Sequence, residues 1–224
     1  MARILLIDTA TARLSVALAE DGAVVASRIC EEARQQASLT APLVQEVLQS
    51  QGIRVADCDA VCVSSGPGSY TGLRVGVSTA KGLAFGAGLP LIAIGTLDIL
   101  AHAVSAGPSF VIPMIDARRM EVYTAVYSAE GERITPVEAK VIGPDSFADE
   151  LATGPVLFIG DGALKCREVI THPNARFQEA WPDAAAMAPL AQKAWDEKRF
   201  EDIAYFEPFY LKDFVATVSR KKFF

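Results

Sequence analysis

Three apolar runs end on an aspartate: "RILLID" at Asp8, "VIPMID" at Asp116 and "VLFIGD" at Asp161. A phosphate-gripping turn of this kind follows its aspartate with glycine and hydroxyls, because backbone N–H groups approach phosphate closely only where no Cβ intervenes. Asp8 is followed by Thr9, Ala10 and Thr11, and Asp116 by Ala117, Arg118 and Arg119, so neither turn carries the glycine. Only "IGDGA" keeps glycines, where Asp161 and Gly162 would face an adenosine. These residues predict a vestigial nucleotide cleft at Asp8, Thr9, Asp161 and Gly162, with weak nucleotide binding at most and no cofactor.

The motif richest in glycine is "SSGPGSYTGLRVGVSTAKGLAFG", Ser64 to Gly86. A Walker loop needs a Lys after its last glycine, and Leu73 follows Gly72. A nucleophile elbow needs G-x-S-x-G, but Ser69 directly follows Gly68. Metal chemistry finds no better support: His102 and His172 stand seventy residues apart, and Cys30, Cys58, Cys62 and Cys166 form no C-x-x-C pair. No metal site is expected, and unpaired thiols in apolar stretches fit a reducing compartment.

A net charge of −6 over 224 residues argues against tight direct binding of nucleic acid, whose affinity comes largely from Lys and Arg meeting phosphates. The basic "SRKKFF" at Ser219 to Phe224 reads as a solvated tail. "MARILLIDTA" is too short in apolar residues for a signal-peptide core, and no run reaches the length of a membrane span. A cytoplasmic protein with no membrane partner is expected.

The elements that must carry these residues come in two similar sets. "RILLID", "RLSVALA" and "AVVASRI" alternate as strands, with Asp21-Gly22 as the turn between the last two. "TAPLVQEVLQSQG" then reads as a helix capped by Thr40 and stopped by Gly52, "DAVCVSS" as a strand, the glycine motif as a second helix, "PLIAIG" as a strand and "TLDILAHAV" as a helix. From Phe110 the order βββαβα recurs through "VIPMID", "EVYTAVY", "RITPVEAKV", "PDSFADELA", "VLFIG" and "ALKCREVI". Internal duplication gives an α/β protein of two βββαβα subdomains, 1–107 and 108–224, an actin-like (ribonuclease H-like) plan with a cleft between halves.

At 100° per residue, the helix from Thr71 to Gly86 places Arg74, Ser78, Lys81 and Phe85 on one narrow face. The remaining arc is apolar or small and spans roughly 220°, about twice the stripe a helix needs against one sheet. Each interior glycine forgoes about 1 kcal/mol of helix propensity, so close approach by a second element is the expected return. That element is either the neighbouring helix or another chain. The expected partner surface is Leu43 and Val47 on the first helix with Gly72, Val75, Gly76, Thr79 and Leu83 on the second, centred on Gly76.

"LLIDTATARLSVAL", "SSGPGSYTGLRVGVSTAKGLA", "IDARRMEVYTAVY" and "EPFYLK" together resemble the bacterial TsaB (YeaZ) family along essentially the whole chain. The resemblance implies an actin-like, glycoprotease-type fold without its own catalysis. It implies pairing with a TsaD-like transferase, helix to helix, to attach threonylcarbamoyl to the adenosine beside the tRNA anticodon. A TsaE-like ATPase would complete the assembly, a homodimer would form when the transferase is absent, and tRNA would be met only through the complex. Where catalytic relatives carry two metal-binding histidines, Thr96 and Leu100 stand here, and Met120 replaces a frequent glycine. The competing readings are a metal- or ATP-dependent hydrolase and a nucleotide sensor.

Overall fold

In the computed structural model, residues 2–104 and 107–212 are described, so the basic "SRKKFF" lies outside them. The first half runs β1 (Arg3–Asp8), β2 (Leu14–Glu20), β3 (Ala23–Cys30), α1 (Gln36–Ser50), β4 (Ala60–Gly66), α2 (Tyr70–Ala87), β5 (Leu91–Gly95) and α3 (Thr96–His102). The second runs β6 (Phe110–Asp116), β7 (Glu121–Thr124), β8 (Tyr127–Ser128), β9 (Glu138–Val141), α4 (Ala148–Thr153), β10 (Val156–Ile159), α5 (Ala163–Cys166), β11 (Ala175–Gln178) and α6 (Ala188–Asp196).

The two sheets share one plan. The first is ordered β3-β2-β1-β4-β5, and the second, read in the matching direction, β9-β7-β6-β10-β11. β1 runs antiparallel to β2 and parallel to β4, just as β6 runs antiparallel to β7 and parallel to β10. Corresponding aspartates, Asp8 and Asp116, therefore sit at the same end of the same strand in each half.

β1 and β4 read as unbroken apolar runs because both faces of their sheet are covered. On one face Leu5, Ile7, Val61 and Val63 meet Val44, Val47 and Leu48 of α1 and Val77, Ala80 and Ala84 of α2. On the other, Ile4, Leu6, Cys62 and Ile92 meet Ile99 of α3 and an alanine-rich surface made by Ala184, Ala188, Ala191 and Ala194. Each large side chain fully buried this way contributes about 1.5–3 kcal/mol. A further cluster joins the halves: Leu97, Leu100 and Ala101 of α3 pack on Val111, Ile115, Tyr127 and Ile159. At its edge the Tyr127 hydroxyl donates to Asp98 at 2.7 Å.

Two expectations are corrected here. Residues 184–210 do not belong with the second half. α6 seals the first sheet, Glu201 N–H donates to the Leu91 carbonyl (2.8 Å) and Phe209 N–H to the Ser65 carbonyl (2.8 Å). Small alanines let α6 lie flat on a sheet face that α3 covers only in part. The first helix begins at Gln36 rather than at Thr40, whose hydroxyl instead donates back to the Gln36 carbonyl, and Pro42 lies inside it.

Candidate functional site

The glycine motif is seated on the turn that follows β1. Ser69 caps α2, its hydroxyl accepting the Gly72 N–H (3.3 Å), and its own N–H donates to the Ala10 carbonyl (2.7 Å). Thr9 Oγ1 donates to the Gly72 carbonyl at 2.8 Å. A Cβ at Gly68 would meet the Ala10 carbonyl oxygen, one at Gly72 the Thr9 carbonyl oxygen and one at Gly76 the Thr9 hydroxyl, all nearer than the 3.0 Å that real Cβ atoms essentially never breach. These three glycines let the α2 backbone press directly on Thr9 and Ala10. The close neighbour that the wide apolar arc requires is the chain's own Asp8 turn.

This overturns part of the expected partner surface. Gly72, Gly76, Leu43 and Val47 are buried in the chain's own core. Val75, Thr79 and Leu83 keep partial exposure. The turn is closed as well: Asp8 and Thr9 are fully buried beneath α2 and line no open cleft. In the second half, Asp161 stays partly accessible and accepts the Asp116 N–H (2.9 Å), while Gly162 is buried against Met114 and Asp116. The four residues expected to share one cleft thus divide into a sealed pair and a loop that ties β6 to β10.

Burial pushes the Asp8 carboxyl up to about 7, helped slightly by the charge of Asp183. The adjacent Ser64 hydroxyl and the Ala10 N–H pull the other way, but Ala10 bonds only at 3.3 Å. Neither Asp8 Oδ2 nor Ser64 Oγ has a partner of good geometry among the described residues, so burial prevails. An acid whose folded pKa is raised stabilises the fold fully below its unfolded value near 3.8, and loses that contribution as pH climbs through about 7. Chemical denaturation should therefore show Asp8→Asn gaining on the wild type between pH 4 and pH 7. The gain should level off above pH 7 at up to about 4 kcal/mol, the equivalent of a three-unit shift. An unchanged difference from pH 4 to pH 8 would refute a protonated Asp8.

Cysteine chemistry is not evident. Burial raises the Cys58 thiol to about 11 and Cys62 further, the opposite of what a nucleophile needs. Among the described residues, no three His, Cys, Asp or Glu side chains come together to hold a metal ion. Thr96 and Leu100 are both buried in α3.

What α2 offers to solvent is a strip of different character. Arg74, Ser78, Gly82, Phe85 and Gly86 face outward, and Phe85 is 80% exposed. Among the described residues, nothing lies within 4 Å of a Cβ built at Gly82 or Gly86. α1 runs alongside, presenting Ala41, Pro42 and Gln45. Along the other edge of the strip the C-terminal segment tracks α2: Lys81 donates to the Phe206 carbonyl (2.8 Å) and Tyr210 lies 4.7 Å from Tyr70, ring to ring. Lys212 then reaches across to Glu121 of the second half. Gly82 and Gly86 escaped the expected surface because the helical arc alone does not say which of its glycines face inward.

Two halves of one strand order, joined through α3, with matching aspartates at their central strand ends, define an actin-like duplicated α/β protein. A family model described as "TsaD: tRNA N6-adenosine threonylcarbamoyltransferase" matches residues 26–219. The chain is 34% identical to the Escherichia coli "tRNA threonylcarbamoyladenosine biosynthesis protein TsaB", with 96% of each covered. It is 32% identical to the Haemophilus influenzae protein of that description, covering 95% of this chain and 94% of the relative. The solved structure of YeaZ from Pseudomonas aeruginosa superposes with a TM-score of 0.81 at 29% identity, covering 94% of this chain and all of that one. An activator of 2-hydroxyisocaproyl-CoA dehydratase from Clostridium difficile, TM-score 0.51 at 9% identity over 88% of this chain and 96% of that one, shares the fold alone. The chain belongs to the TsaB family.

Proposed function

We propose that this chain serves tRNA threonylcarbamoyladenosine biosynthesis as a non-catalytic subunit that docks on a TsaD-like transferase and activates it. The observation that carries the reading is the outward strip of α2. An aromatic ring 80% exposed stands between two glycines with open space around them. Glycines that cost helix propensity and whose Cβ would meet nothing among the described residues suit the approach of a partner helix to the 8–10 Å typical of packed helices. Raised thiols, a sealed Asp8 turn and no clustered metal donors among the described residues support a subunit that leaves the chemistry to its partner. In this reading the chain works without a nucleotide of its own, the first phosphate-type turn being occupied by α2. A TsaE-like ATPase joins the assembled pair, and the same strip pairs two copies when the transferase is absent.

The test is reconstitution. The chain, a TsaD-like subunit, the ATPase, the activated threonylcarbamoyl donor and tRNA are mixed, and modified adenosine is counted as each component is withheld. Transfer should require both the chain and the transferase, and the two should co-elute as a complex. Transfer at full rate without this chain, or turnover by this chain alone, would overturn the reading.

A further inference from the structure

The β6–β7 connection is built in a way that hairpins ordinarily avoid. Arg118 and Arg119 are consecutive and both left-handed, with φ of 72° and 53°, where Asn-Gly or Gly-Gly would serve without steric cost. Met120, the next residue of the turn, is not in that region. The Glu121 N–H closes the turn on the Arg118 carbonyl at 3.2 Å.

Both side chains are exposed, and among the described residues neither guanidinium makes a hydrogen bond, ion pair or ring contact. The nearby carboxylates are already committed. Asp116 holds Lys165 and accepts the Arg118 N–H (3.0 Å), Asp161 accepts the Asp116 N–H, and Glu121 holds Lys212. Two always-charged forks side by side, with no partner among the described residues, are a donor set that matches an oxyanion. Residues held in disfavoured backbone conformations gather at sites of function, where the strain serves the geometry.

We infer that Arg118 and Arg119 grip backbone phosphates of the RNA held by the assembled complex, an inference that rests on the function proposed above. Free nucleotide is the other source of phosphate, but it needs walls. Two cavities, of about 550 Å³ beside Asp21 and about 180 Å³ beside Asp98, include neither arginine. Contacts to a polymer backbone need only an open edge, and they position an RNA without reading its sequence.

The test uses this chain complexed with a TsaD-like subunit and measures tRNA affinity against salt concentration. The wild type is compared with Arg118→Ala/Arg119→Ala and Arg118→Gly/Arg119→Gly, with Mg-ATP binding followed in parallel. Losing two phosphate contacts should flatten the slope of log affinity against log salt by about 1.5 in both variants, for cognate and non-cognate tRNA alike. Mg-ATP binding should not change. The glycine variant should also melt above the alanine variant, since glycine relieves the left-handed turn. An unchanged slope in a complex that assembles and modifies tRNA would overturn the arginine site alone. An altered Mg-ATP affinity with unchanged tRNA binding would assign the pair to nucleotide instead. A wild-type chain that forms no complex overturns the underlying reading, and this inference with it.

Discussion

Alanine at Gly76 is expected to destabilise the chain by about 1–3 kcal/mol, and alanine at Gly72 by at least as much. The two should differ in whether they can be rescued. The methyl at position 76 runs into the Thr9 hydroxyl, a side-chain atom, whereas the methyl at 72 runs into the Thr9 carbonyl, a backbone atom. Thr9→Ala alone removes the bond from Thr9 Oγ1 to the Gly72 carbonyl, a modest loss of about 1 kcal/mol. Combined with Gly76→Ala it removes the obstacle, so the double variant should be more stable than the sum of the singles by 1 kcal/mol or more. Combined with Gly72→Ala it relieves nothing, and the losses should add. Urea denaturation of the five variants measures both coupling energies. Additive losses for the 9/76 pair would mean that α2 is not seated on the Asp8 turn as described.

Phe85→Ala should weaken association with a TsaD-like subunit by about 2 kcal/mol, or roughly thirtyfold, while leaving the melting temperature where it was. A ring 80% exposed contributes little to its own fold. Gly82→Arg should act in the same direction, since a Cβ at position 82 meets nothing among the described residues and a long side chain there would hold a partner helix away. Val24→Ala provides the control, as an exposed apolar residue (41%) on edge strand β3. Calorimetric titration beside thermal melts of the same samples separates docking from folding. Normal binding by both α2 variants would remove this strip from the interface.

The glycine pattern shows what was legible. An apolar arc too wide for one sheet implied a second close neighbour, and the sequence carries that requirement in full. It does not carry the neighbour's identity, because Thr9 lies far from Gly72 in the chain and only the β1–β4 pairing brings Thr9 under α2. The strands were readable for a simpler reason: in β1, β4 and β6, burial on both faces makes the run itself apolar. α6 was not anticipated, although Ala184, Ala188, Ala191 and Ala194 recur at helical spacing, since alanine marks helix well but a buried face poorly. The return of residues 184–210 to the first sheet escaped notice for the same reason. A return of the chain to its first sheet leaves no mark in local composition, and the outward Gly82 and Gly86 look like the inward Gly72 and Gly76 until the fold separates them.

The sealing of the first sheet by α6 sets the order in which the chain can become complete. At a synthesis rate of roughly 5–20 residues per second, α6 emerges about 5–20 s after β5. Through that interval Ile4, Leu6 and Ile92 have α3 beside them but lack the alanine surface that finally covers them. The first half is therefore the last to close, though the ribosome makes it first. A chain whose sequence repeats one plan twice cannot mature as two independent copies: its opening strands wait, one apolar face only partly covered and the free edge of β5 without its Glu201 bridge, for the segment that follows the repeat.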